Sequence, residues 1–373
     1  MNKIPKYLYI DDEDVNSLQS IINGLNDTKK INVELLKLSP KKTFEDVKDM
    51  LIKANDVDGF LIDLRLDGDG PNKLSFSAPT IAQDIITLSS RGDVLARPIV
   101  LCSTEAKMRA TYDADKSSHD LFDYKFEKST TPNWEKFATK LNALAVGYDF
   151  INNSDKVITT ILQRLSIESL DYRAFERFKS EKNIPTSEYA HFIIKSLFHH
   201  PGILIKERVL AARLGVDIEK SGESWKKLRD NYFLKTQYRG AFSDGWCRYW
   251  SDHIISTFRE ISQGGRLAML TANERVEVLK NTTKIEGLIP AEPIEYCKSS
   301  LFWTTCEGLK LPLDPNEGYK VYESLELKPW QEPKYLSFSA INSGRFSSKG
   351  LNPQSSELNR IELFKEVLKA NKK

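Results

Sequence analysis

The sequence predicts an α/β chain: an N-terminal doubly wound sheet of five parallel strands, a mostly helical middle, and an irregular α+β C-terminal region. Two observations predict the sheet. Five short apolar runs recur through residues 1–146, and stretches with apolar residues three and four apart separate them, the alternation of a parallel α/β unit. Four of those runs end in a polar group, in the order acid pair, acid, hydroxyl, ammonium. In an open parallel sheet such groups meet at the carboxyl edge, where ligands bind. A third observation sets the far end apart: from residue 264 onward, Pro290, Pro293, Pro312, Pro315, Pro329 and Pro333 cut the sequence into short pieces.

The first run, Tyr7-Leu-Tyr-Ile, breaks off into Asp11-Asp12-Glu13. Val15 to Leu25 then places Leu18, Ile21, Ile22 and Leu25 on one helical stripe. Ile31 to Leu38 alternates as a second strand, and Thr43 to Ala54 follows as a helix with Phe44, Val47, Met50 and Leu51 inward. The third strand, Gly59-Phe-Leu-Ile, ends at Asp63, and a helix runs from Pro79 to Ser89 with Ile81, Ile85 and Ile86. The fourth, Arg97-Pro-Ile-Val-Leu-Cys, ends at Ser103 and leads to a helix near Ala106 to Ala114. The fifth, around Tyr124, ends at Lys128, and Trp134 to Val146 closes the unit with Trp134, Phe137, Leu141 and Leu144.

These strand ends suit phosphoryl transfer to a carboxylate. Asp11 and Asp12, with Asp63, would hold a hard divalent cation, which prefers oxygen ligands. Asp63 would be the nucleophile, since a carboxylate can accept a phosphoryl group. Ser103 and Lys128 would bond the phosphoryl oxygens. Taken singly, acids after an apolar run are more often turn or helix-cap residues than ligands; their order and common placement make the site. The set Asp11, Asp12, Asp63, Ser103 and Lys128 resembles the receiver domain of two-component response regulators, over residues 1–146. The resemblance implies a flavodoxin-like fold, Mg²⁺ at the acids, Asp63 as phosphoacceptor and a histidine kinase as phosphodonor. Receivers usually have Lys-Pro after the last strand, whereas Lys128 is followed by Ser129 and the next proline is Pro132. Lys125 competes for the place of the amine, and Tyr124 and Phe122 both fit the aromatic switch position. The loop after Asp63 is longer and more acidic than a standard receiver loop, and Asp67 or Asp69 either crowds the cation or decorates solvent.

The composition is that of an ordinary soluble protein, 40% hydrophobic and 28% charged over 373 residues, enough for two or three domains. A net charge of +2 excludes a general polyanion binder and leaves only a local basic face. Cys102, Cys247, Cys297 and Cys306 are few and unevenly spaced, the start Met1-Asn-Lys-Ile-Pro is short and polar, and no apolar run has membrane length. Together they point to the cytoplasm, with no membrane partner. Cys102 reads as a buried thiol in the fourth strand. Cys297 and Cys306 lack the close second pair that a zinc site needs.

Residues 147–200 read as a helical connector, with runs at Lys156–Leu165, Asp171–Ser180 and Tyr189–His199 that are either a signal-carrying face or a packing stripe. Residues 201–263 read as a further helical segment. Ala211 and Gly215 have the small-residue spacing of a helix-turn-helix, Ser221–Arg229 supplies a second helix, and Tyr238–Gly245 a hairpin, which together resemble the winged-helix output domain of many response regulators. That resemblance implies DNA contact through Lys226, Lys227 and Arg229, with Trp225 either on the reading face or in the core. Trp246–Trp250 is a packing cluster or a partner surface. Residues 264–373 form the α+β module, with strands at Ser300–Cys306, Tyr319–Tyr322 and Tyr335–Ser339 and an amphipathic basic helix over Ser355–Lys373.

No nucleophile-and-base set, phosphate loop or dinucleotide fingerprint appears in this half, so the chain reads as a signalling protein rather than an enzyme. Its C-terminal module would regulate a protein partner, or the receiver would drain phosphoryl groups in a multi-receiver circuit like those of antiphage operons. Two other readings are a DNA-binding regulator acting through residues 200–250 and a degenerate receiver kept as a docking scaffold.

Overall fold

The computed structural model describes residues 3–67, 70–104, 121–128, 132–344, 346–347 and 350–370. The helix expected at Ala106–Ala114, together with Asp69 and Ser129, lies outside the described residues. The chain divides into two compact units: residues 1–167, 175–196 and 239–246, and residues 168–174, 197–238 and 247–373. This division differs from the four segments read from the sequence, because much of the helical connector and a short later piece join the sheet.

The first unit is a five-stranded sheet of β1 (Lys6–Ile10), β2 (Asn32–Leu35), β3 (Gly59–Asp63), β4 (Ile99–Ser103) and β5 (Tyr124–Glu127), ordered β2-β1-β3-β4-β5. Every pairing is parallel. This is the flavodoxin-like order, with the switch point between β1 and β3. β3 and β4 are buried along their whole length, as strands covered on both faces must be. α1 (Val15–Asn26) starts where the Asp14 carboxylate accepts from the amides of Asn16 and Ser17, and it buries Leu18, Ile22 and Leu25. α2 (Phe44–Lys53) starts at a reciprocal Thr43–Asp46 capping box, and α3 (Ala78–Arg91) has a proline in its first turn and ends at Gly92.

α4 (Trp134–Asn152) runs two turns beyond the expected stop at Val146. Its buried residues, among them Phe137, Leu141, Ala143, Leu144, Tyr148 and Ile151, cover more than one face, so single-stripe periodicity could not mark its end. At the amino edge of the sheet, Asp123 accepts from the Ile99 amide and the Tyr148 hydroxyl, and the Tyr7 hydroxyl donates to the Leu141 carbonyl. Both ties fix α4 to the strands.

In the second unit, α5 (Glu207–Leu214) and α6 (Ile218–Leu228) are joined through Gly215, Val216 and the N-cap Asp217; the second helix starts before the expected Ser221 and is kinked at Gly222, whose backbone is not helical. α7 (Ser251–Ile261) and α8 (Ala272–Thr283) pack with them around Leu210, Trp225, Phe233 and Phe258. Trp225 is a core residue whose indole N–H donates to Glu207. The expected hairpin over Tyr238–Gly245 is replaced by a turn and a short 3-10 helix at Ser243–Gly245, and residues 239–246 belong to the first unit. Phe242 and Trp246 gain more by burial in that unit than a two-stranded wing could offer them.

Toward the C-terminus, two-residue strands pair Thr304–Thr305 with Pro312–Leu313 and Tyr319–Lys320 with Tyr335–Leu336. α9 (Leu358–Ala370) docks Ile361 and Phe364 against Tyr319 and Phe338. Among the described residues, no helix is long and apolar enough to cross a membrane.

Candidate functional site

The parallel register brings the site together. Ile10 pairs with Ile62, so Asp11 leaves β1 beside Asp63, and Asp63 pairs with Cys102, so Ser103 stands one residue farther along the next strand. Ser103 pairs with Glu127, and the Lys128 amide donates to the Ser103 carbonyl at 2.8 Å, turning that side chain toward the acids. Asp11, Asp12, Asp63 and Ser103 are all buried, at 2% exposure or less. Carboxylates buried to this degree require partners.

Lys128 Nζ donates to Asp11 Oδ2 and to Asp63 Oδ1, each at 2.7 Å, so Lys128 rather than Lys125 supplies the amine. The Tyr9 hydroxyl donates to Asp11 Oδ2 at 2.7 Å, and the Arg65 amide donates to Asp63 Oδ2 at 2.9 Å. One oxygen from each of Asp11, Asp12 and Asp63 lies within 4.8 Å of the others. Three carboxylates therefore face a single ammonium, and a buried excess of negative charge remains.

That excess shows in the titration of the site. Burial pushes the Asp12 carboxyl above its ordinary value; the Gly70 amide opposes this, and the neighbouring Asp11 and Asp63 add to it. Burial alone would lower the Lys128 pKa, but Cys102, Asp63 and Asp11 outweigh it and hold the amine above its usual range. The Cys102 thiol is pushed up to about 12 by burial and stays neutral and unreactive. Ser103 Oγ is buried with no hydrogen-bond partner among the described residues, an orphan hydroxyl beside the acids.

The donor set fits a hard cation. Three carboxylates offer oxygen ligands only, the local charge is unbalanced, and Asp12 is reluctant to ionise without a counter-charge. Asp11, Asp12 and Asp63 would hold Mg²⁺.

The long loop after Asp63 is built into the site rather than left in solvent. Leu66, Leu74 and Phe76 are buried in the core, and the Leu74 amide donates to the Leu66 carbonyl at 2.6 Å. The Gly70 amide donates to Asp12 Oδ2 at 3.1 Å, and the Asn72 amide to the Asp12 carbonyl at 3.0 Å. A Cβ at Gly70 would stand 2.4 Å from the Asp12 carbonyl oxygen, so this approach needs glycine. Sequence reasoning missed Tyr9, Gly70 and Asn72. Tyr9 was open to it, two residues before Asp11 on the same strand face; the loop pairings carry no local signal. Asp67 is turned to Arg65 at 3.0 Å and does not crowd the acids. Phe122 sits in the core, whereas Tyr124 lies half-buried against α4.

The proposed DNA-contacting side chains are partly committed within the second unit. Arg229 pairs with Glu207 and Asp230, and Lys226 with Glu223. Among the described residues, Cys297 and Cys306 join no cluster of metal-ligating side chains.

A five-stranded parallel sheet of order 2-1-3-4-5 with a buried acidic cluster at its carboxyl edge fits a receiver fold. Neither a protein-family model nor a curated protein matches the sequence. Among solved structures, a two-component response regulator from Clostridium difficile is similar at 19% identity, over 38% of this chain and 94% of that one, with a TM-score of 0.26.

Proposed function

We propose that the first unit is a phosphoacceptor receiver and that Asp63 takes a phosphoryl group from the phosphohistidine of a kinase. The observation that carries this reading is the site itself: a buried Asp63 carboxylate held by Lys128, beside two further acids and an orphan Ser103 hydroxyl. An Asp63 carboxylate oxygen attacks phosphorus, the P–N bond breaks, and the imidazole leaves with the electron pair. Lys128 turns from the carboxylate to a phosphoryl oxygen, and Ser103 donates its hydroxyl hydrogen to another. A bound Mg²⁺ would supply positive charge to the transferring group.

The reading implies a cytoplasmic, non-enzymatic signalling protein. Its second unit would regulate a protein partner according to the state of Asp63; in a multi-receiver circuit, including an antiphage one, the same chemistry would make it a phosphoryl sink. The test is intact mass after incubation with acetyl phosphate and Mg²⁺, for the wild type and Asp63→Ala. One added phosphoryl group that is absent from the variant is the expected result. Its absence from the wild type would leave a docking scaffold and sink the proposal.

A further inference from the structure

A cluster of charged side chains in the second unit carries the opposite imbalance to the acids of the first. Leu204 pairs with Trp250 and Ile205 with Tyr249 in an antiparallel ladder, so the next positions, Lys206 and Arg248, lie across from each other. The Glu332 amide donates to the Pro201 carbonyl and the Glu307 amide to the Tyr335 carbonyl, each at 2.8 Å, which draws His199, His200, Glu307 and Lys334 together. Glu323 meets His200 Nε2 through one oxygen and Lys334 Nζ through the other, at 3.3 Å, and Lys310 Nζ stands 2.6 Å from Glu307. The side chains of His200, Glu323, Lys334 and Glu307 are only 12 to 18% exposed. Arg248 directs its guanidinium to the Cys247 and Phe198 carbonyls, both at 2.9 Å, and lies 5.3 Å over the Phe198 ring.

Four cations, Lys206, Arg248, Lys310 and Lys334, thus face two carboxylates, Glu307 and Glu323. Glu323 is taken by Lys334 and His200, and Glu307 by Lys310. Glu207 and Glu332, adjoining in the chain, are bound to Arg229 and Arg213. The Lys206 ammonium has no hydrogen bond or ion pair among the described residues, and Lys206 reaches solvent. The crowding of the cluster tells on its titration. Desolvation lowers the Lys206 pKa; Glu307 opposes this, and Arg248, Lys310 and Lys334 add to it. Desolvation also takes Arg248 down to about 10 and His199 down to about 4, the latter with help from Lys334. With both imidazoles neutral, two positive charges stand unmatched.

We infer that this cluster binds a phosphoryl dianion, with the Lys206 ammonium in contact with it and Arg248, Lys310 and Lys334 supplying the positive field around it. Two unmatched charges suit one dianion, and an ammonium with solvent access and no partner gives it a point of entry. Glu307 and Glu323 stand inside the cluster and would repel the successive phosphates of a nucleic-acid strand, so the ligand is a small one. Free phosphate and a small phosphate monoester offer the same chemistry. The site does not depend on the phosphoacceptor reading of the first unit.

The test is titration calorimetry of the full chain with inorganic phosphate and, separately, with phenyl phosphate, at ionic strength fixed with sodium chloride. EDTA is present, so that no divalent cation carries phosphate to the acids of the first unit. One saturable site per chain is expected. Lys206→Met is expected to weaken binding by about tenfold or more, while the unfolding midpoint holds or rises, because the lost cation had no partner. Lys235→Met, which removes an exposed lysine paired with Glu260 in the same unit, is expected to leave the affinity unchanged. The His199 ring gives a second readout. A bound dianion offsets Lys334 and Lys206, so the His199 pKa is expected to rise from about 4, followed by NMR of the histidine ring protons. Tighter binding of the ester would make a phosphorylated small molecule the ligand, and tighter binding of the free ion would make it phosphate itself; both support the site. Binding that does not saturate, or an affinity unchanged in Lys206→Met, would overturn it.

Discussion

Both units bury charge, and Arg213 in the second is treated in the opposite way from the acids of the first. In the second unit, Arg213 is fully buried and matched: its guanidinium meets Glu332 with two hydrogen bonds of 2.8 and 2.7 Å, bonds Ser251 and the Trp303 carbonyl, and stacks over the Trp303 ring. Arg275, also buried, is the exception there: its Nη1 donates to the carbonyls of Ala212, Arg213 and Phe302, while its Nε and Nη2 meet no partner among the described residues. In the first unit, three acids cluster beside one lysine that bonds two of them, and the Ser103 hydroxyl has no partner among the described residues. Balanced buried charge fixes structure, whereas unbalanced buried charge is tolerated where a ligand completes it.

The comparison can be broken first at Arg213. Arg213→Leu leaves Glu332 facing a position without charge and is expected to destabilise the second unit by about 3 kcal/mol, read by denaturant unfolding, with acceptance of a phosphoryl group unchanged. An unaltered unfolding midpoint would mean the pair does not hold the fold. Asp12→Asn is the reverse case. It removes charge from an over-supplied site, so Mg²⁺ affinity is expected to fall on the order of 100-fold by titration calorimetry, while the cation-free protein holds or gains stability.

Acidification sharpens the same contrast. The Asp12 pKa is raised in the fold, so the folded protein binds more protons there than the unfolded chain. Its contribution to cation-free stability is therefore present below the ordinary carboxylate pKa and is lost as pH rises through the raised value. Mg²⁺ must displace that proton, so affinity is expected to weaken by up to about tenfold per pH unit below the raised pKa. Affinity flat with pH in that range would mean Asp12 is not a ligand.

Ser103→Ala removes a hydroxyl with no partner among the described residues, so stability is expected to stay within about 1 kcal/mol of wild type. Phosphorylation by acetyl phosphate should still slow by about tenfold, since the hydroxyl acts on the transferring group. The smallest effect is expected at Lys226, which is exposed and paired with Glu223 three residues away. Lys226→Ala should leave the unfolding midpoint unchanged. If the chain nevertheless binds duplex DNA with an affinity that falls steeply with salt, and this variant weakens it, the second unit is a DNA reader after all.

The site was legible in the sequence because its parts lie at strand ends. Asp11, Asp63 and Ser103 each close an apolar run, Lys128 follows the alternating strand Tyr124–Glu127, and parallel register does the rest. The second unit was far less so. Its strands are two residues long, too short for alternation to register, and its core depends on pairings such as Arg213 with Glu332 that lie far apart in the chain. Residues 239–246 were misread for the same reason: nothing near Phe242 in the sequence announces Gly147.

The path of the chain has a consequence for how the molecule is made. It passes between the units after Ile167, Ala174, Ser196, Tyr238 and Trp246, five times in all. The ribosome therefore delivers the sheet long before the last piece that covers it. Until residue 246 has emerged, Tyr124, Gly147 and Tyr148 lack the aromatic cover of Trp246 and Phe242, so the first unit can finish packing only late in synthesis.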